Sequence, residues 1–172
     1  KGWLWKRAPS FFDVVCYTGN GADGRAIAHN LGVEPALFWV KRRDATGEWY
    51  VYSNIEDQPF GIVLNSSNAA DTLGIWESTA ATTTHFTVSG NTDVNHNGGT
   101  FVTYLFANLD GISKVGSVSH SGSSTNVDCG FSNGARFVML KRTNAAGDWY
   151  VWDSARGIIA GNDPYLLLNT TA

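Results

Sequence analysis

Residues 40–53 read VKRRDATGEWYVYS, and residues 140–153 read LKRTNAAGDWYVWD. Lysine, arginine, glycine, an acid, tryptophan, tyrosine and valine recur in the same order at a displacement of 100 (40 to 140). Chance is a poor explanation for so many matches, so the chain reads as an internal duplication. Within each copy, bulky β-forming residues alternate with a period of two on either side of a turn step, Asp44-Ala45-Thr46-Gly47 in the first. That pattern predicts a β-hairpin. Successive strand residues point to opposite faces. Trp49 and Val51 therefore share one face and Tyr50 and Tyr52 the other, with Trp149 and Val151, then Tyr150 and Trp152, as counterparts.

The duplication reaches further. Leu64-Asn65-Ser66-Ser67 answers to Leu168-Asn169-Thr170-Thr171 at a displacement of 104 (64 to 168), which places an insertion in the intervening loop, where insertions are tolerated. Backwards, Thr103-Tyr104-Leu105-Phe106-Ala107 parallels Gly2-Trp3-Leu4-Trp5-Lys6. The expected organisation is residues 1–7 as the last strand of a preceding copy, 8–109 as a complete copy and 110–172 as a truncated second one, the whole being a window on a longer array. A truncated sandwich leaves open sheet edges and uncovered core. The second copy is therefore expected to be completed by residues after 172 or by another chain.

With 43% apolar and 13% aromatic residues the chain can build a packed core, and 19 glycines among many Ser, Thr and Asn favour short strands joined by tight turns. Strand-like segments fall at 11–18, 26–29, 37–43, 48–53, 61–65, 74–77, 85–89 and 100–107, and in the second copy at 113–119, 126–130, 136–142, 148–153 and 165–169. The fold expected is all-β, an antiparallel, jelly-roll-like β-sandwich. A net charge of −3 offers no basic field for nucleic acid, and no apolar run is long enough for membrane insertion. Cys16 and Cys129 occupy non-equivalent positions, which excludes a repeated disulfide or metal site and suggests free, buried thiols.

Several motifs have bland readings that outweigh their sharper ones. Gly19-Asn20-Gly21-Ala22-Asp23-Gly24 fits the glycine spacing of a dinucleotide fingerprint, but residues 25–35 hold Gly32 and end in proline, so no helix follows to receive a pyrophosphate. A turn is the better reading. His29, His85, His96 and His120 lack metal-binding spacing, and no nucleophile motif occurs. Catalytic residues, metal ligands and cofactors are all expected to be none. Of the seven tryptophans, Trp39, Trp49 and Trp149 are assigned to a sandwich core. Tyr50, Tyr52, Tyr150 and Trp152, on the other face, are the candidate binding residues.

The series Tyr17-Thr18-Gly19-Asn20-Gly21, His29-Asn30-Leu31-Gly32, Trp39-Val40-Lys41-Arg42-Arg43-Asp44 and Trp49-Tyr50-Val51-Tyr52-Ser53, with DWYVWDSARGIIA at 148–160 and Leu166 to Asn169, spans nearly the whole chain. It resembles the repeated β-sandwich domains of virion structural and tail-fibre proteins of tailed bacteriophages, marine ones in particular. The resemblance implies a non-enzymatic module of a virion appendage, located in the virion, whose partners are other virion proteins and copies of itself and which contributes to host attachment. An alternative expectation is a lectin-like module that engages host glycans through exposed aromatics and Asn-rich loops such as 91–99.

Overall fold

Both quoted stretches fold as hairpins, and in the same register. The computed structural model describes residues 2–55, 61–72, 74–77, 79–158 and 163–170. Its elements are β1 (Phe12–Thr18), β2 (Arg25–Ala28), β3 (Leu37–Arg42), β4 (Trp49–Ser53), β5 (Ile62–Val63), β6 (His85–Val88), α1 (Thr92–Asn95), β7 (Thr100–Phe106), β8 (Phe137–Lys141), β9 (Trp149–Asp153) and β10 (Leu166–Leu167). Leu37 lies opposite Ser53 and Lys41 opposite Trp49; Phe137 lies opposite Asp153 and Lys141 opposite Trp149. β5 and β10 then continue both hairpins alike, Val63 opposite Tyr50 and Leu167 opposite Tyr150.

The same side-chain lock closes each three-stranded unit. The Asn65 Oδ1 accepts from the Trp49 N–H at 3.0 Å, and the Asn169 Oδ1 accepts from the Trp149 N–H at 2.8 Å. Each amide in turn donates to the acid after the hairpin glycine, Glu48 or Asp148. A buried or strained turn loses free energy when its backbone donors go unmet. One Asn per unit therefore fixes the third strand against the hairpin.

All pairing is antiparallel, in a five-stranded sheet of order β1-β7-β3-β4-β5, a two-stranded sheet β2-β6 and a three-stranded sheet β10-β9-β8. The five-stranded sheet is apolar on both faces. Phe38, Val40, Tyr50, Tyr52, Phe101 and Leu105 pack with Ile27, Phe86 and Val88 of β2 and β6 to form the main core. Trp39, Val51 and Ile62, on the reverse, pack with Trp149 of the second unit, with Trp49, Tyr104, Phe106 and Met139 around them. The architecture is thus layered, with the large sheet between the other two. The Trp5 ring sits at one end of the second interface, its centroid 6.4 Å from Trp39 and 5.7 Å from Phe137, and the Trp3 indole N–H donates to Asp153 at 2.9 Å.

Some expectations need correction. Residues 2–7 form no strand; they act as an aromatic wedge between layers, and Lys1 lies outside the described residues. Segment 74–77 is not a strand either, because Ile75 and Trp76 cap the main core, the Trp76 indole donating to the Val51 carbonyl at 3.3 Å. Segments 113–119 and 126–130 are not strands. By position they are the counterparts of β1 and β2, which pair with β7 and β6 respectively. Among the described residues they have no such partners, and so no ladder to join. Cys16 and Cys129 are free thiols, but neither is buried: Cys16, on the edge strand β1, is exposed and Cys129 is partly exposed.

The interface between the units supplies a stability test. The Trp149 indole N–H donates to the Val63 carbonyl at 2.9 Å, whereas the buried Trp39 N–H has no hydrogen-bond partner among the described residues. Phenylalanine at 39 removes an unmet donor, while phenylalanine at 149 removes a made bond. In denaturant melts, Trp149→Phe should cost about 1 kcal/mol more than Trp39→Phe. Equal costs would mean that the Val63 bond contributes nothing net.

Candidate functional site: the aromatic face of the second unit

Tyr50, Tyr52, Tyr150 and Trp152 occupy equivalent strand positions but different environments. Tyr50 and Tyr52 are 8% and 6% exposed. The Phe38 and Tyr52 rings stack with centroids 4.4 Å apart, and the Tyr50 hydroxyl donates to Asp93 at 2.9 Å. Burying a ring of this size stabilises by roughly 4 kcal/mol at most, and an unmet hydroxyl would cost about 1–3 kcal/mol. The Asp93 carboxylate removes that cost for Tyr50. The assignment of Tyr50 and Tyr52 as outward binding residues is therefore wrong: their face is the main core, and the tryptophan face joins the two units.

In the second unit no layer of the described residues lies over the tyrosine face. Tyr150 and Trp152 are half-buried and stack at 5.8 Å with their planes 16° apart, and Tyr165 closes on both at 5.3 and 6.1 Å. Leu140 and Tyr165 are 49% and 51% exposed. Beside the rings, Val138, Leu140, Trp152, Ile158 and Asp163 line a shallow, mainly apolar depression. Tyr165 was not among the sequence candidates. Its two-residue approach to the short β10 carries no alternation, so only the register of β10 on β9 brings it here.

The other motifs resolve into structural parts. The glycine-rich stretch 19–24 is a turn pinned by the fully buried Asn95, whose amide donates to Ala22 O at 2.7 Å and to Asn20 at 3.2 Å. A side chain at Gly19 would collide with the His96 carbonyl, 2.0 Å from an ideal Cβ, so the turn needs glycine there. A strand, β2, follows the turn, so there is no helix N-terminus for a dinucleotide. The Asn-rich stretch 91–99 holds α1, with Asn91 as its cap, the side chain accepting from the Asp93 N–H at 2.9 Å. Asn91 and Asn95 are thus committed to the fold.

His29 is buried, its Nδ1 accepting from Leu31 N–H at 3.2 Å and its Nε2 facing the Thr82 carbonyl at 3.1 Å. Burial holds its pKa below the usual histidine value. Nδ1 as acceptor and Nε2 as donor define a neutral, structural imidazole. Among the described residues no group of three or more His, Cys, Asp or Glu side chains could hold a metal ion. Asp23 and Glu77 are hydrogen-bonded to each other: the Gly90 N–H holds Asp23 below the usual carboxylate range, and Asp23 pushes Glu77 up. Asp23 thus ties the 19–24 turn to segment 74–77 through Glu77 and to the loop after β6 through Gly90. Among the described residues no helix is long and apolar enough to cross a membrane.

Over residues 7–171 the chain matches the family described as Domain of unknown function (DUF7483), and it belongs to that family. No curated protein and no solved structure matches it. The family match runs across the boundary at 109/110.

The buried phenols give a pH prediction. Burial, with Asp93 beside it, raises the Tyr50 pKa far above the ordinary 10, and burial does the same for Tyr17. A folded pKa above the unfolded one means stability intact below pH about 10 and lost as the pH rises beyond it. Each such phenol should then remove up to about 1.4 kcal/mol per pH unit. Chemical unfolding between pH 9 and 11.5 should show a slope that Tyr50→Phe reduces; an unchanged slope in that variant would mean that the Tyr50 phenol does not carry the effect.

Proposed function

We propose that the chain is a non-enzymatic structural module of a tailed-phage virion appendage, in which β-sheet units stack through their tryptophan faces. The observation that carries this reading is the junction of the two units. Trp39, Trp49 and Trp149 are spent on packing one unit against the next, and backbone bonds from Ala70 to Thr143 (2.9 Å) and from Gly147 to Ser67 (2.8 Å) fasten their loops. Residues that pass from one repeat to the next in register are what a module needs in order to add length mechanically. The sequence resemblance to repeated virion domains points the same way. Other virion proteins and copies of this chain are the proposed partners. Peptide mass spectrometry of purified, protease-washed phage particles should recover this chain from the virion; its absence there would end the reading.

A second reading keeps a specific observation of its own. The stacked Tyr150, Trp152 and Tyr165 rings offer flat apolar surfaces of the kind that pack on sugar faces. On this reading the module binds host glycan through the second unit alone. A glycan array should then give signals that Trp152→Ala abolishes and Tyr52→Phe leaves intact, and a blank array at millimolar affinity would remove the reading.

A further inference from the structure

We infer that the second unit is an acceptor for an extended protein segment of the β6–β7 type, one strand of which adds to the open edge of β8 while the other lies over the Val138, Tyr150 and Trp152 face. The first unit supplies the template. There β7 lies between β3 and β1, with Leu105 opposite Phe38 and Phe101 opposite Arg42, and β6 pairs with β2 so that Phe86 meets Phe38 at 4.9 Å. In the second unit β8 stands where β3 stands, and it is an edge strand. Among the described residues no strand lies on its outer side. The counterparts of Phe38, Val40 and Tyr52 are Val138, Leu140 and Trp152, all at least partly exposed. Segments 113–119 and 126–130, the positional counterparts of β1 and β2, are exposed almost throughout and unpaired as strands.

These features call for one occupant. An uncovered apolar face alone could attract many ligands, but a row of unmet backbone groups beside it is satisfied best by another strand. A folded second copy of this chain offers edges such as its own β8 but no free pair of strands to fill both the edge and the face, because its β7 is paired on both edges and its β6 is held by β2. The occupant is therefore a segment from elsewhere, with large apolar residues at positions i and i+4 of one strand, opposite Arg142 and Val138. It should also order 113–119 on its far side, as β7 orders β1. The inference stands on strand pairing and holds whether or not the chain sits in a virion.

The test uses the full 172-residue chain with its own segment 83–108 appended after residue 172 through a flexible linker, and also the same segment as a free peptide. Hydrogen exchange read by mass spectrometry should slow at least about tenfold at 113–119, 126–130 and β8 in the fusion. The Trp152 environment should become drier, with a blue-shifted emission. A control fusion whose appended segment has serine in place of the residues copied from Phe101 and Leu105 should lose both effects. The β3–β4 amides, protected throughout, report that the first unit stays folded. Unchanged exchange at β8 and 113–119 in the fusion, with β3–β4 intact, overturns the inference. So does protection of Trp152 by concentration-dependent dimerisation of the unmodified chain, or by a glycan alone.

Discussion

The structure depends on one sheet being buried on both sides. A strand with one wet face can alternate apolar with polar residues, and the alternation tells which side is inward. In β3, β4 and β7 both phases are apolar: Phe38 and Val40 alternate with Trp39, and Tyr50 and Tyr52 with Trp49 and Val51. Each phase meets its own layer, β2–β6 on one side and the second unit on the other. The consequence for function is direct. Most aromatic residues of the first unit hold layers together, and among the described residues the second unit alone keeps an aromatic face without a cover.

This constraint also decides what was legible in the sequence. The hairpins and their register were readable, because a repeated glycine turn and a repeated WYV triplet leave one alignment, and the displacement of 104 for the third strand reappears as Val63 and Leu167 opposite Tyr50 and Tyr150. All-β, antiparallel organisation was readable from the same alternation. The inward face was not. Tyr50 carries a hydroxyl and Trp49 a larger apolar ring, so ranking by side chain put tryptophan inside and tyrosine outside. The Asp93 bond reverses that ranking for Tyr50, and it comes from α1, a four-residue helix inside a stretch of polar residues with no periodicity to announce it.

Strand propensity failed in a second, instructive way. Segments 113–119 and 126–130 have the composition of short strands, yet a strand exists only as a member of a ladder. In the first unit β1 is held by β7 and β2 by β6, partners that lie 82 to 94 and 57 to 63 positions further along. Local sequence cannot report whether a distant partner is present. The asparagines fail oppositely: Asn91 and Asn95 stand in the stretch 91–99 that reads as a recognition loop, and each is consumed by bonds that shape a cap or a turn, as Asn65 and Asn169 are at the hairpins.

The sheet edges themselves differ in a way that bears on assembly. Edge strands are ordinarily kept short or blunted by charge, because unpaired backbone groups recruit other strands. β5 is an edge of two residues, and β1 carries the buried Asp13 at its start, bonded to Arg7 at 2.5 Å and to Asn30 N–H at 2.8 Å. β8 is five residues long, with Val138, Met139 and Leu140 at its centre and Lys141 only at its end. Lys141 is moreover turned inward, donating to the carbonyls of Ser67 and Gly147, and burial lowers its pKa, so it protects the edge little. An edge of that length and apolarity, on the strand that also carries the uncovered face, runs against ordinary protection from aggregation. Among the described strands β8 is the edge that also carries the uncovered apolar face, and the two features together distinguish it from β1, whose edge is longer but whose faces pack on the rest of the sheet's cores.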